Sequence, residues 1–194
     1  MSYNAFAEFY DGLTGNVEYK DRAEYIEKLI KSFGREAGTT LDLACGTGSL
    51  TLELYRRGFD IFGVDASIDM LSEAQQKCSE DEQILFICQK MQRLNLASEI
   101  DTCICTLDSI NHLTNPKDVK ETFKRVAKYL SKEGLFIFDV NTLYKHREVL
   151  CDNCFVFDTD EVFCSWQNEL DKEIKERRSE VQRYEKRVLN KEEA

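Results

Sequence analysis

Two glycines and an acidic residue in this sequence have a spacing that is typical of a ligand-binding site. Residues 41–50 read LDLACGTGSL, with Gly46 and Gly48 between an apolar run and a helical pattern. Glycine lets the backbone turn sharply and lets a ligand approach without meeting a Cβ. Asp65 follows Gly48 by seventeen positions, close to the spacing at which an acidic side chain reaches ribose hydroxyls. The pattern predicts a nucleotide-type site, and we expect a side chain at Gly48 to fill space that the ligand needs.

Short apolar runs predict the strands that must position these residues. Five runs qualify, at 39–44, 60–65, 84–88, 101–107 and 135–140. Helical patterns separate most of them, and such alternation is typical of an α/β fold. We therefore predict a Rossmann-like, doubly wound, mostly parallel sheet with helices on both faces. In such a sheet the ligand lies beyond the carboxyl ends of the strands, where the glycines and Asp65 fall.

Composition limits the class of protein. The chain has 194 residues, 42% of them hydrophobic, and a formal net charge of −10. A binding surface for nucleic acid is disfavoured, because that affinity comes largely from clustered lysine and arginine. No apolar segment is long enough to cross a membrane, and the first fifteen residues do not resemble a secretory signal. We predict one soluble cytoplasmic protein whose eight cysteines are reduced.

The glycine-rich segment is not a complete dinucleotide motif. The third glycine of G-x-G-x-x-G would fall at position 51, which is Thr51. What remains, DLACGTG over residues 42–48 together with Asp65, resembles the cofactor motif of the class I S-adenosylmethionine-dependent methyltransferases. This cofactor has a ribose and an adenine but no pyrophosphate, and its ammonium group could be neutralised by Asp42, directly or through water.

The resemblance implies a set of cofactor contacts. It implies that Asp65 holds the ribose, that Met70 packs on the adenine and that the backbone of Met91 reads the ring, while Lys90 stands where many relatives have an acid. Tyr10 belongs to an aromatic segment with Tyr3, Phe6 and Phe9 that either packs in the core or meets the ligand. The cofactor residues so assigned are Tyr10, Asp42, Ala44, Cys45, Gly46, Thr47, Gly48, Asp65, Ala66, Met70, Lys90, Met91, Leu107 and Asp108.

The segment LDSINHL at 107–113 resembles the family motif that borders the methionine arm and the substrate. Asp108 and His112 are the candidate catalytic residues, which could take a proton from the acceptor; they could equally be a helix cap and a loop histidine. The resemblance implies methyl transfer from S-adenosylmethionine to an unidentified small molecule. Alternatives are a non-catalytic S-adenosylmethionine-binding module and an NAD-type oxidoreductase. No metal is predicted, because the spacing of His146, Cys151, Cys154 and Cys164 is irregular for zinc.

The carboxyl-terminal part is where the resemblance ends. We predict an S-adenosylmethionine-binding domain at 1–145, a β-hairpin lid or insert at 146–168 and a charged helix at 169–194. The helix is expected from a sparse apolar stripe, and the last strands of the family's usual seven-stranded sheet are expected to be missing. The fifth strand would then be an apolar edge, so we expect self-association through the carboxyl-terminal segment or an impaired enzyme.

Overall fold

The computed structural model describes residues 7, 10–12, 17–158, 162–169 and 183–190. Within them the chain forms one five-stranded sheet and one three-stranded sheet. The contacts divide the described part of the chain after Val140 into two units, with Gly12 grouped with the second. Tyr3, Phe6 and Phe9, whose packing was predicted from the sequence, lie outside the described residues.

The first unit is built on a parallel sheet with the strand order β3-β2-β1-β4-β5. Its strands are β1 (Thr39–Leu43), β2 (Asp60–Asp65), β3 (Phe86–Cys88), β4 (Ile100–Cys105) and β5 (Leu130–Phe138). Its helices are α1 (Tyr19–Ser32), α2 (Ser49–Arg56), α3 (Ile68–Lys77) and α4 (Pro116–Tyr129), with 3-10 turns at Met91–Arg93 and Ser109–His112. Every pair of neighbouring strands is parallel. The predicted doubly wound sheet is confirmed.

Helices cover both faces of this sheet, because successive residues of a strand point to opposite sides. On one face Cys103 and Cys105 of β4 belong to a core cluster with Val126 of α4. On the other face Ile104 belongs to a second cluster, with Ile26 of α1 and other residues of α1 and α2. The two cysteines are thus core residues, as their alternation along the strand predicts. Among the described helices, none has the length and apolar character needed for a membrane span.

The second unit is an antiparallel sheet with the order β6-β7-β8. A π-helix at Lys145–Leu150 precedes β6 (Cys154–Asp158), β7 (Val162–Glu169) and β8 (Arg183–Asn190). The predicted hairpin is observed as β6 and β7, and its function as a lid stays a prediction. The charged helix over 169–194 is wrong for 183–190, which pair with the whole of β7. A strand poor in apolar residues can form an edge, because the ladder hydrogen bonds of its neighbour hold it.

Candidate cofactor site

The loop after β1 is fastened to the end of β2 through its own amides. The N–H groups of Ala44 and Cys45 both donate to the carbonyl oxygen of Val64, at 2.7 and 3.1 Å. The N–H of Gly46 then donates to Oδ2 of Asp65 at 2.9 Å. Left-handed φ angles at Ala44, Gly46 and Gly48, of 62°, 56° and 72°, turn the chain back towards the start of α2. The predicted neighbours of the motif therefore meet at one edge of the sheet.

Asp65 uses both carboxylate oxygens to order backbone. While Oδ2 accepts from Gly46, Oδ1 accepts from the N–H of Ser67 at 2.8 Å. The hydroxyl of Ser67 in turn accepts from the N–H of Met70 and caps α3. Each carboxylate oxygen can accept more than one hydrogen bond, so ribose hydroxyls can still donate to Asp65.

The two loop glycines are needed for different reasons. A Cβ at Gly46 would meet no atom within 4 Å, so this side of the loop is open to a ligand. A Cβ at Gly48 would lie 2.8 Å from the Cβ of Ala74 and 3.2 Å from the ring of Phe86. The expectation that a side chain at Gly48 would fill ligand space is wrong. Gly48 is required because α3 and β3 pack against the loop there.

Asp42 lies beneath the loop rather than on its surface. Its side chain is buried, and its Oδ2 accepts a hydrogen bond of 2.6 Å from the hydroxyl of Thr51. The pKa of Asp42 is raised to about 6, chiefly by burial and in smaller part by the charge of Asp65, while the hydrogen bond from Thr51 lowers it. Thr51 stands where a dinucleotide motif has its third glycine, and here it supplies a donor to the buried acid.

The thiol of Cys45 lines the same loop. Its sulfur packs where a Cβ on Gly63 would approach within 2.7 Å, which accounts for glycine at that position of β2. Burial raises the pKa of the Cys45 thiol well above its ordinary value, and the charges of Asp42 and Asp65 add to the rise. Cys45 is therefore a partly buried thiol that stays protonated at neutral pH.

The loop after β4 has two consecutive left-handed residues that are not glycine. Leu107 has a φ of 61° and Asp108 a φ of 63°. Their N–H groups donate to Oδ2 and Oδ1 of Asp139, both at 2.9 Å. Asp108 precedes the 3-10 turn that ends at His112, whose side chain is exposed. Both predicted catalytic residues thus lie at the carboxyl end of β4, beside the loop after β1.

The amino-terminal segment is tied to the glycine loop. Asp11 accepts a hydrogen bond of 2.7 Å from the hydroxyl of Thr47 and one of 3.3 Å from that of Ser49. Lys77 of α3 forms an ion pair with Asp11 and donates to Ser49 at 2.8 Å. Tyr10, the preceding residue, is thereby carried to the site.

The phenol of Tyr10 is influenced by the charges of nearby acids. Burial raises the pKa of Tyr10 to about 12, with further contributions from Tyr19, Asp11, Asp65 and Asp108. Two of the acids that raise it are Asp65, which ends β2, and Asp108, which follows β4. The Tyr10 phenol therefore stays protonated and can donate a hydrogen bond.

Other predicted contacts are less directly placed. Met70 is only 7% exposed and packs in the core, while Met91 packs against the cluster that contains Leu94. Lys90 is exposed, and the carbonyl of Ala66 accepts from the thiol of Cys88 at 3.6 Å. The contacts of Met70 and Met91 with adenine stay predictions, as do the cofactor contacts of Lys90 and Ala66. In the described part of the chain, no group of three or more potential metal ligands comes together.

Three residues that order the site were not predicted from the sequence. Thr51 was noted only as a missing glycine, and Asp11 and Asp139 were given no role. Asp139 carried the clearest signal, because an acid directly follows the apolar run of β5. Nothing in the sequence indicates which backbone amides such an acid accepts from.

The arrangement suits a cationic ligand better than a phosphate. The Gly46 amide is already bound to Asp65, and Asp42 lies below the same loop. Asp108 follows the neighbouring strand. Carboxylates around a glycine loop would repel a pyrophosphate, whereas they stabilise a ligand that carries ammonium and sulfonium charges. The acidic side chains around this loop therefore fit the positive charges of S-adenosylmethionine.

Comparisons with known proteins agree with this chemistry. A sequence model of the methyltransferase domain matches residues 40–134. The Bacillus subtilis (strain 168) protein that bears the name "Putative methyltransferase YqeM" is 38% identical over 169 residues, which cover 87% of this chain and 67% of that protein. The glycine/sarcosine N-methyltransferase of Aphanothece halophytica is 30% identical over 138 residues, covering 69% of this chain and 51% of that one.

A solved structure extends the agreement to the fold. The S-adenosylmethionine-dependent methyltransferase of Clostridium acetobutylicum ATCC 824 superposes with a TM-score of 0.76 at 33% identity. The match covers 98% of this chain and 83% of that one. The chain belongs to the S-adenosylmethionine-dependent methyltransferase family. Its cofactor is S-adenosylmethionine, and it is a methyltransferase enzyme.

Proposed function

We propose that the enzyme methylates a nucleophilic atom of a small molecule, and that the two loops after β1 and β4 hold the cofactor between them. The observation that carries the proposal is the hydrogen bond from the Gly46 amide to Asp65. A backbone amide that could otherwise bind a phosphate group is thereby occupied by a carboxylate of the protein. A site so built favours a positively charged cofactor and still leaves carboxylate lone pairs for a ribose.

In this proposal each part of the site has one task. Asp65 binds the ribose, the open face of Gly46 admits the ligand, and ionised Asp42 stabilises the cofactor's ammonium charge from below the loop. Tyr10, held by Asp11, covers the ribose side and can donate its phenolic hydrogen bond. Asp108 and His112 lie at the acceptor side, where either can take a proton if the nucleophile carries one.

The bound cofactor supplies a methyl group on a sulfonium that is already a good leaving group. The chain then has to hold the acceptor in line with that methyl group and exclude water, which can account for most of the rate enhancement. A general base is needed only when the nucleophile must lose a proton before or during attack.

A calorimetric titration tests the cofactor site. S-adenosylmethionine and S-adenosylhomocysteine should bind to the folded wild-type protein, and NAD should not. Asp65→Asn should weaken both adenosyl ligands at least tenfold, because the amide cannot accept from both Gly46 and Ser67. Asp60→Asn is the matched control at the opposite end of β2, where Asp60 accepts from the Thr39 hydroxyl at 3.0 Å. Binding of NAD alone would contradict the proposal.

Small amines are the first acceptors to test. The relative named as a glycine/sarcosine N-methyltransferase supports a nitrogen acceptor, and acidic side chains near the site would attract an ammonium substrate. Incubation with S-adenosylmethionine and glycine, sarcosine or amino sugars should give a product heavier by one methylene unit, detected by mass spectrometry. Cofactor binding with no turnover on any small nucleophile would favour a non-catalytic binding module.

We also propose self-association and a cytoplasmic location. No described strand pairs with the outer edge of β5, and such an edge can add a further strand. All eight cysteines are free thiols, which supports a reducing compartment. Light scattering should give a mass above that of one chain, whereas a monomer at all concentrations would contradict self-association.

A further inference from the structure

The loop after β4 holds a conformation that its residue types do not favour. Leu107 and Asp108 adopt φ angles of 61° and 63° one after the other. A non-glycine side chain is rarely left-handed because its Cβ crowds the following carbonyl oxygen, and leucine cannot stabilise the turn through its own side chain. Such backbone persists only where surrounding contacts hold it. An interaction outside the loop must therefore stabilise both residues.

Asp139 supplies that interaction with both carboxylate oxygens. Its Oδ2 accepts from the N–H of Leu107 and its Oδ1 from the N–H of Asp108, each at 2.9 Å. Its own N–H donates to the carbonyl of Cys105 at 3.3 Å, which continues the pairing of β4 with β5. Asp139 is thus anchored to the sheet by its backbone and to the loop by its side chain. Arg22 of α1 lies 3.4 Å from Oδ2 and steadies the carboxylate.

The position of this loop in the sheet indicates which end of the cofactor it meets. Strand β4 lies beside β1 on the side away from β2. In the proposed site Asp65 at the end of β2 binds the ribose, and the family resemblance implies that the adenine lies at Met91, after β3, so we expect the amino-acid end on the β4 side. The loop held by Asp139 is therefore beside the end that carries the reacting methyl group.

We propose that Asp139 is a positioning residue, which fixes the Leu107–Asp108 backbone so that the loop fits the amino-acid end of S-adenosylmethionine. The inference rests on the proposed cofactor site. Asp139 itself touches neither cofactor nor acceptor in this account; it acts through the two amides that it binds. Its removal should therefore affect ligands that have the amino-acid end and spare those that lack it.

Two ligands and two matched variants test this selectivity. Asp139→Asn replaces one acceptor oxygen by a donor, so one loop amide loses its partner. We expect it to weaken S-adenosylhomocysteine about tenfold in calorimetry and to leave 5′-methylthioadenosine, which lacks the amino-acid end, within twofold. Asp101→Asn is the control: Asp101 accepts from the Thr39 amide and the Ser131 hydroxyl, both at 3.0 Å, at the opposite end of β4. It should change neither affinity.

A second substitution tests the backbone argument directly. Leu107→Gly removes the Cβ that disfavours the left-handed conformation, so the loop should depend less on Asp139. We expect Asp139→Asn to cost less affinity for S-adenosylhomocysteine in the Leu107→Gly background than in the wild type. Equal losses in both backgrounds, or equal losses of both ligands, would overturn the proposal.

Amide hydrogen exchange separates this inference from the cofactor proposal. In the protein without ligand, at least one of the amides of Leu107 and Asp108 should exchange at least tenfold faster in Asp139→Asn than in Asp101→Asn, because asparagine keeps only one acceptor oxygen. If the wild type bound no adenosyl ligand, the cofactor proposal would fail while exchange still decided whether Asp139 holds the loop. Unchanged exchange at both amides would overturn the positioning role.

Discussion

The two halves of the site are built alike but from different residues. In the β1–β2 half, formed by the loop 44–48 and Asp65, a carboxylate at the end of β2 accepts from the amides of Gly46 and Ser67. In the β4–β5 half, formed by the loop 106–112 and Asp139, a carboxylate just after β5 accepts from the amides of Leu107 and Asp108. In each half, a carboxylate at the end of one strand accepts hydrogen bonds from the loop that follows the neighbouring, more central strand.

The difference lies in how the left-handed backbone is tolerated. The β1–β2 half uses glycine at two of its three left-handed positions, whereas the β4–β5 half uses leucine and aspartate. Glycine adopts that conformation at little cost, while other residues need external support. The first half is therefore largely determined by local residue types. The second half depends on a contact between residues 31 and 32 positions apart.

The largest effect is expected from alanine at the two loop glycines. Gly48→Ala should lower the free energy of unfolding by about 2–4 kcal/mol, because the left-handed backbone and a clash with Ala74 both contribute. Gly46→Ala has a comparable φ but no neighbour to strike, so its cost should be about 1 kcal/mol. Urea denaturation measures both. Equal losses of unfolding free energy in the two variants would show that the contacts with Ala74 and Phe86 are not the reason for glycine at position 48.

The same pair should show the reverse order in cofactor binding. A methyl group on Gly46 would project from the open face of the loop, so Gly46→Ala should weaken S-adenosylhomocysteine in calorimetry. Gly48→Ala, measured where it is still folded, should weaken it less. A larger loss of affinity in Gly48→Ala than in Gly46→Ala would show that Gly48, and not Gly46, faces the ligand.

Removal of the charge beneath the loop should stabilise the protein. Because the pKa of Asp42 is raised from 3.8 to about 6, the folded state holds a proton that the unfolded state has lost between these pH values. The stabilisation is present at low pH and is lost as pH rises through 6. Asp42→Asn keeps an acceptor for Thr51 and should raise the free energy of unfolding at pH 7.5 by up to about 3 kcal/mol, with little change at pH 4.

Urea denaturation at both pH values measures this effect, with Asp60→Asn as the exposed control. An equal shift at the two pH values would show that the ionisation of Asp42 is not the cause. The same substitution should weaken S-adenosylmethionine, since it removes the negative charge that the cofactor's ammonium group favours. Stability and binding would then change in opposite directions.

Cofactor affinity should also depend on pH in this half. A bound cation favours ionised Asp42, so affinity for S-adenosylmethionine should rise with pH and level off above about 6. Between pH 5 and pH 7 we expect a rise of roughly tenfold, since one protonation competes with binding. Calorimetry across this range measures it. The slope should vanish in Asp42→Asn and with 5′-methylthioadenosine, which lacks the ammonium group; an unchanged slope in either case would contradict this role.

The smallest effect is expected from the segment Tyr10–Asp11, which contacts the glycine loop of the β1–β2 half. Lys77→Met removes the ion pair that holds Asp11 and with it Tyr10. Partly exposed ion pairs contribute at most about 1 kcal/mol, so affinity for S-adenosylhomocysteine should fall two- to fivefold. Lys31→Met, which breaks an exposed pair with Glu27 on α1, is the matched control. Equal affinities in the two variants would show that the segment is held by other contacts.

The sequence predicted the β1–β2 half better than the β4–β5 half for a physical reason. Gly46, Gly48 and Asp65 carry their conformational preference and charge in the residue type, so their spacing was informative. The roles of Asp139 and Asp11 depend on which amides and hydroxyls the fold brings to them. The reason for Gly48 was also mistaken, because Ala74 and Phe86 are neighbours only in three dimensions.

The same limit applies to the fold. Period and apolar content identified the five strands of the parallel sheet, because buried strands are continuously apolar. Strand β8 (Arg183–Asn190) has few apolar residues and was expected to be helical. Its extended conformation follows from the hydrogen-bonded ladder that it forms with β7. The eight residues of β8 alone do not indicate that this pairing will form.

The partly buried thiol of Cys45 in the glycine loop has a consequence for an enzyme that uses a methylating cofactor. S-adenosylmethionine is an alkylating agent, and a thiolate is among the strongest nucleophiles that a protein can offer it. Cys45 belongs to the loop proposed to bind this reagent, yet burial, with the charges of Asp42 and Asp65, raises the pKa of its thiol well above the ordinary value. In the proposed site, the acids expected to attract the cation would therefore also keep this sulfur in the less nucleophilic, protonated form.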